Sequence, residues 1–202
     1  MSFLVLGFVT GLSLILAIGA QNIFVIEQGL KKQYVFLVCL ICSISDLILI
    51  FLGIFLFEYF KVYFTQYIEL IFNVLLFIFL VYFIYSKVRS LYKRSNLNFE
   101  NNTFSLSNII VKTLGFTYLN PHVYSDTVFF LGNFSKSFLL GQKYLFGIGA
   151  SLSSILFFFS LGYFSKYLSS YVGSEKLWKI INYSIILFMS LLSIYVFLSI
   201  IK

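Results

Sequence analysis

Apolar residues run along this chain in six long blocks, roughly 3–26, 34–57, 67–86, 108–132, 144–168 and 178–200, separated by short polar connections. Each block reaches the approximately 20 residues that an α-helix needs to cross about 30 Å of hydrocarbon. Membrane β-strands would give shorter segments of alternating polarity, so the pattern predicts helices. The expected fold is an all-α integral membrane protein, a six-helix bundle. Five or six full crossings stay open, because a broken block can re-enter the side it came from.

Polar residues inside these blocks mark where chemistry belongs. The fourth block contains LGFTYLNPHVYSDTVFFLG, with Asn120, Pro121, His122 and Asp126 set among apolar residues. Proline has no amide hydrogen and crowds the carbonyl four residues back, here Thr117, while Asn120 before it is pushed away from helical dihedrals. The helix is expected to break or kink there. A freed backbone group in hydrocarbon costs several kcal/mol unless protein or enclosed water satisfies it, so the break should face the bundle interior. Asp126 points the same way, since an intramembrane carboxylate needs a partner, a proton or water. His122 and Asp126, four apart, share a face if the helix resumes. The plainer reading of Pro121 is a tolerated kink.

The first block ends in a polar half with Gly19, Gln21, Asn22, Glu27 and Gln28. Because the apolar run IFVI follows Asn22, Gln21 and Asn22 read as internal, with Glu27 and Gln28 nearer the surface. In the second block Asp46 has apolar residues on both sides for more than two turns. Cys39, Cys42, Asp46 and Gly53 recur close to helical spacing, giving one small-to-polar stripe that should look inward. Asp46 reads either as glue between helices or as a functional acid. The two cysteines have neither the spacing nor the setting of a disulfide or metal site.

Composition agrees with the pattern. Of 202 residues, 60% are hydrophobic and 10% charged, and mean hydropathy is +0.99, outside the range of soluble domains. The formal charge of +7 sits in the connections and block ends, where positive-inside bias and anionic lipid account for it without nucleic acid. The chain opens without a basic region before the first block or a small-residue cleavage pattern after it, so that block is expected to be retained. Tyr59, Tyr63, Tyr67, Tyr82, Tyr85 and Tyr92 cluster at block ends as an aromatic belt. The stretch of about 87–107, opened by Lys87, Arg89, Lys93 and Arg94, is the clearest cytoplasmic signal. With six crossings, connections on its side carry nine basic residues against Lys61, Lys136, Lys143 and Lys202 on the other, which places both termini outside.

The chain reads as a single transporter domain made of two units, about 1–86 and about 108–202, joined by that basic loop. SISDLILIFLG and SLSSILFFFSLG share serine and a closing Leu-Gly when Gly53 is aligned with Gly162, and Asn22 and Asn120 occupy comparable places in the blocks that open each unit. Three helices is an odd number, so the second unit is inverted, an arrangement that builds one central site in many secondary transporters. The last block, with few polar residues, reads as scaffold.

On SLILAIGAQNIFVIEQG, CSISDLILIFLG and TYLNPHVYSDTVFFLG, in that order over nearly the whole length, the chain resembles the lysine and arginine exporter family of bacterial inner-membrane proteins, and within it the arginine-exporter branch. The family's Gly-Pro-Gln-Asn motif falls on Gly19, Ala20, Gln21 and Asn22, with alanine in place of proline; its Asn-Pro motif falls on Asn120 and Pro121, and its two intramembrane acids on Asp46 and Asp126. The resemblance implies export of basic amino acids in exchange for protons from the cytoplasmic membrane. Substrate and proton would then bind at Asp46, Asp126, Asn22, Gln21, Asn120 and His122, with helix breaks at Gly19 and Pro121. His122 would serve a proton relay or orient Asp126 through a hydrogen bond. The partners implied are a basic amino acid, protons and lipid, with room for a homodimer. No cofactor, metal or nucleic acid is expected, and neither a metalloprotease HExxH nor a nucleophile and base at recognisable spacing suggests an enzyme. A transporter or channel for a neutral amino acid or divalent cation is the alternative.

Overall fold

The computed structural model describes residues 2–16, 19–63, 65–94, 105–171 and 175–201, with side chains for all of these except 58–63, 69, 90–94 and 175–178. The described residues are helical, with no strand among them. In order they form α1 (Phe3–Ile15), α2 (Ala20–Leu30), α3 (Val35–Tyr63), α4 (Gln66–Arg94), α5 (Leu106–Tyr118), α6 (Pro121–Tyr124), a π-helical segment (Ser125–Phe130), α7 (Leu131–Ser135), α8 (Leu140–Leu168) and α9 (Glu175–Ile201).

Four helices are long and apolar enough to cross a membrane, over Val35–Phe57, Gln66–Arg89, Leu140–Leu168 and Lys179–Ile201. A fifth crossing arises if α1 and α2, whose axes differ by 83°, count as one broken span. The block at 108–132 is likewise not one straight helix; it is divided at Asn120 into α5 and the α6–π–α7 run. The sequence pattern is thus realised as continuous helices for blocks two, three, five and six, and interrupted ones for blocks one and four.

Burial ranks the continuous helices. Half of the span residues of α3 and of α8 are buried, against 24% for α4 and 22% for α9, so α3 and α8 form the centre and α4 and α9 the flank. α8 packs on α1, α2 and α3; α3 packs in turn on α5, the π segment and α7; α4 packs on α9.

Missing side chains let these helices close on one another. A Cβ built on Gly7 would lie 2.0 Å from the carbonyl oxygen of Phe146, and one on Gly149 would lie 2.0 Å from that of Leu4, so α1 and α8 meet backbone to backbone. Two further glycine pairs allow close approach. Gly53 of α3 packs against Gly132 of α7, and Gly162 of α8 packs against Gly29 of α2. Cys39 and Cys42 are buried packing residues; Cys39 lies against Gly162, and its thiol donates to the carbonyl of Phe158 at 3.2 Å. Tyr67, Tyr82 and Tyr85 are exposed as a belt requires, whereas the side chains of Tyr59, Tyr63 and Tyr92 lie outside the described residues.

Between α2 and α3 the chain turns through Lys32 and Tyr34, both in left-handed backbone, with φ of 55° and 47°. This turn brings α3 directly onto α2.

Candidate functional site

Two helix interruptions create the site. Gly19, at φ −118° and ψ −177°, is the extended residue that starts α2, and as N-cap it has no side chain with which to cap the amides of the first turn. Asn22 reaches back across the break, its Nδ2 donating to the Ile15 carbonyl at 3.2 Å and satisfying one acceptor that the end of α1 leaves open. At the second interruption Asn120 is extended, at φ −85° and ψ 109°, as a residue before proline must be. Its Oδ1 accepts from the His122 amide at 3.1 Å, and Pro121 occupies the first helical position, where a missing amide hydrogen costs nothing. The Tyr124 hydroxyl donates to the Tyr118 carbonyl at 2.9 Å, covering an acceptor freed by the break.

The two breaks face one another. A Cβ built on Gly19 would have Asn120 Nδ2 as its nearest neighbour, at 4.0 Å. Between them opens a cavity of about 440 Å³ whose wall includes Gly19, Gln21, Asn22, Asp46, Asn120, His122 and Asp126. These belong to three separate stretches of chain, and the fold brings all of them to one place. Pro121 is buried and outside the wall; it fixes the break.

Asp46 reaches the cavity from the middle of α3, is only 2% exposed, and its Oδ2 accepts from the Ser154 hydroxyl of α8 at 2.8 Å. Asp126 is half-buried on the π-helical segment, where the wider turn departs from the spacing of an α-helix. Gly53 admits that segment: a Cβ there would lie 2.6 Å from the Thr127 carbonyl. Gln21 is buried, and its Nε2 has no hydrogen-bond partner among the described residues. The cavity therefore holds two carboxylates, the bare amino terminus of an eleven-residue helix, and amide side chains from both breaks. Such a set complements a molecule carrying cationic groups and a carboxylate.

Some side chains sit elsewhere than their sequence context suggests. His122 stacks on Tyr195, ring centroids 5.9 Å apart, and makes no hydrogen bond to Asp126 among the described residues. Tyr195 and Leu192 of α9 line the cavity, so the last helix contributes to the site as well as to the scaffold. Nothing in the local sequence of Tyr195 or Ser154 separates them from their apolar surroundings; only α8 and α9 docking gives them a role. Glu27 and Gln28, expected near the surface, are 3% and 2% exposed, because the bend at Gly19 carries α2 into the packed interior. Glu27 is ion-paired there with Lys31 and, at 2.7 Å, with Lys87. Lys87, expected in the basic loop, is consequently a buried residue of α4.

Comparison with known proteins places the chain in a family. Residues 12–199 match the LysE type translocator model. The chain is 32% identical over 180 residues to a putative amino-acid transporter, YggA, of Aeromonas salmonicida, covering 87% of this chain and 86% of the relative. It is 32% identical over 181 residues to the arginine exporter protein ArgO of Salmonella paratyphi A, covering 87% and 84%, and 29% identical over 182 residues to ArgO of Pectobacterium carotovorum, covering 88% and 87%. No solved structure matches. A match over nearly the whole chain, on a membrane protein of broken and continuous apolar helices, shows that this protein belongs to the LysE type translocator family.

Proposed function

We propose that the protein exports arginine, and lysine as a second substrate, across the bacterial cytoplasmic membrane in exchange for protons. The observation that carries this reading is the cavity where both helix breaks meet two carboxylates. The names of the arginine-exporting relatives point to the same substrate class. Its volume of about 440 Å³ falls within the roughly 300–1,000 Å³ typical of small-molecule sites.

In this reading the substrate carboxylate binds the amides at the start of α2, with Asn120 and Gln21 beside it. The cationic groups bind Asp46 and Asp126. Burial disfavours an ionised carboxylate and a neighbouring cation favours it, so a bound substrate holds these acids ionised and a departing one returns them to protons. Moving one positive charge outward against 100 mV costs roughly 2.3 kcal/mol, and a proton moving inward cancels that term. His122, stacked on Tyr195, forms the wall on the α9 side.

The architecture proposed with this function is six crossings in two inverted units, about 1–86 and about 108–202. Its support is the way contacts repeat when the units are exchanged. α1 and α2 pack on α8 as α5 and α7 pack on α3; α2 touches α9 as α6 touches α4; α1 and α5 each have 13 residues. The glycine pairs Gly53–Gly132 and Gly29–Gly162 follow the same exchange.

The test is purified protein in liposomes with an imposed pH gradient and a panel of labelled solutes. Arginine efflux with opposite proton movement is expected, together with competition by lysine. Uptake of neutral amino acids in preference to arginine, or flux without proton movement, would remove the reading. A divalent cation is the less suited cargo, since among the described residues no three His, Cys, Asp or Glu side chains converge as a metal cage.

A further inference from the structure

On the side of the cavity wall formed by Gln21 and Leu76, three mutually packed rings lie between α2, α4 and α5. Phe24 of α2, Phe83 of α4 and Phe116 of α5 have centroids 5.0 to 6.4 Å apart, and all three are buried. One helical turn further on, about 5.4 Å, comes a charged layer. There Glu27 of α2 accepts Lys31 on one carboxylate oxygen and Lys87 of α4 on the other, the latter at 2.7 Å. The ammonium groups of Lys87 and of Lys112 on α5 lie 5.6 and 5.7 Å from the centre of the Phe83 ring.

α2 and α4 are not among the more closely packed helix pairs; the rings and the ion pair join them, with α5 packed on both. At the other end, α1 and α8 are locked backbone to backbone through glycines. The layer that joins α2 to α4 is therefore the Phe24–Phe83–Phe116 layer, through α5, with its Glu27–Lys87 clasp. It lies at the end of the bundle where Lys31 and Lys32 place the cytoplasm.

Opening this layer with nothing to replace Lys87 would leave the buried Glu27 carboxylate with Lys31 alone and its second oxygen unpaired. A guanidinium or ammonium from a substrate replaces that lysine charge for charge, and it can take the same position over the Phe83 face. We propose that Glu27 is a second cation site, at the cytoplasmic end of the path, where the side chain of a basic substrate displaces Lys87 and so parts the ring layer. The proposal rests on the transport reading for the identity of the cation, while the gate itself stands on the packing.

The test uses a single reporter cysteine, Val123→Cys in the cavity wall, with Cys39→Ala and Cys42→Ala, in vesicles whose cytoplasmic face is outward. An impermeant maleimide should label it slowly. Arginine in the bath should speed labelling roughly tenfold, a population shift of about 1.4 kcal/mol, whereas its neutral isostere citrulline should not. Lys87→Met should label fast without substrate, and Glu27→Gln should lose the response to arginine. Labelling of Lys87→Met as slow as in the parent, or an arginine response that survives Glu27→Gln, overturns the proposal. If Lys87→Met does not fold, Phe83→Ala must open the same side, and slow labelling of that variant counts equally against the gate. Liposomes that fail to exchange arginine while Lys87→Met still opens would remove the transport reading and leave the gate; the converse pattern would do the reverse.

Discussion

At the scale of single residues, the proposed substrate site depends on two carboxylates, Asp46 buried and Asp126 half-buried. Asp46 is held by the Ser154 hydroxyl from a neighbouring helix, while Asp126 stands on a segment whose turn is wider than an α-helix. Losing one member of a desolvated charge pair costs about 2–5 kcal/mol, or on the order of 30-fold or more in affinity. Asp46→Asn and Asp126→Asn are each expected to reduce arginine exchange in liposomes by at least that factor while the purified protein keeps its helical content. Wild-type exchange by either variant would show that the acid is structural glue. Ser154→Ala removes one hydrogen bond to a charged group, worth about 1.5–3 kcal/mol, and should weaken arginine binding without abolishing transport. Equilibrium binding in detergent measures it.

At the scale of elements, the interrupted helices and the continuous ones divide the work. Gly19 and Asn120 stop their helices at facing positions, and Gly19 offers no side-chain cap to the first turn of α2, where the proposed substrate carboxylate would sit. Pro121→Ala restores an amide donor and relaxes the constraint on Asn120, so the extended residue is no longer enforced. The expected result is impaired exchange with thermal stability equal to or above that of the parent, read by unfolding in detergent. A loss of stability with exchange intact would mean the proline serves packing alone. α1 and α8 respond in the opposite sense. Gly149→Leu drives a side chain into the Leu4 carbonyl and should destabilise by about 1–3 kcal/mol or more, seen as a lower Tm and lower yield.

At the scale of the whole molecule, two central helices, α3 and α8, carry the polar contact between Asp46 and Ser154, and two flanking helices, α4 and α9, present apolar surface outward. The proposed two-unit architecture maps the glycine pair Gly53–Gly132 onto Gly29–Gly162, the exchange that the proposed alternating mechanism would use. The cavity is bordered by Gln21 and Leu76, and the Phe24–Phe83–Phe116 rings pack together between α2, α4 and α5. Reporter fusions provide the topological check. Six crossings with inverted units put both termini outside and the 87–107 loop inside; termini found on opposite faces would require one interrupted block to re-enter.

The class of the protein, the place of each apolar block and the residues foreign to hydrocarbon are all written in local sequence. Length and hydropathy are local properties, and a proline or carboxylate in an apolar run is conspicuous wherever the run folds. For the same reason Gly19, Asn120, Asp46 and Asp126 stand out in the sequence alone. Which of them meet is not local. Only the docking of α2, α3, α6 and the π segment around one cavity brings them together, and only the bend at Gly19 turns Glu27 from an expected surface residue into the buried partner of Lys87. Ser154 and Tyr195 are the same case, since a serine or tyrosine in a membrane helix carries no signal until a neighbouring helix gives its hydroxyl or ring something to touch.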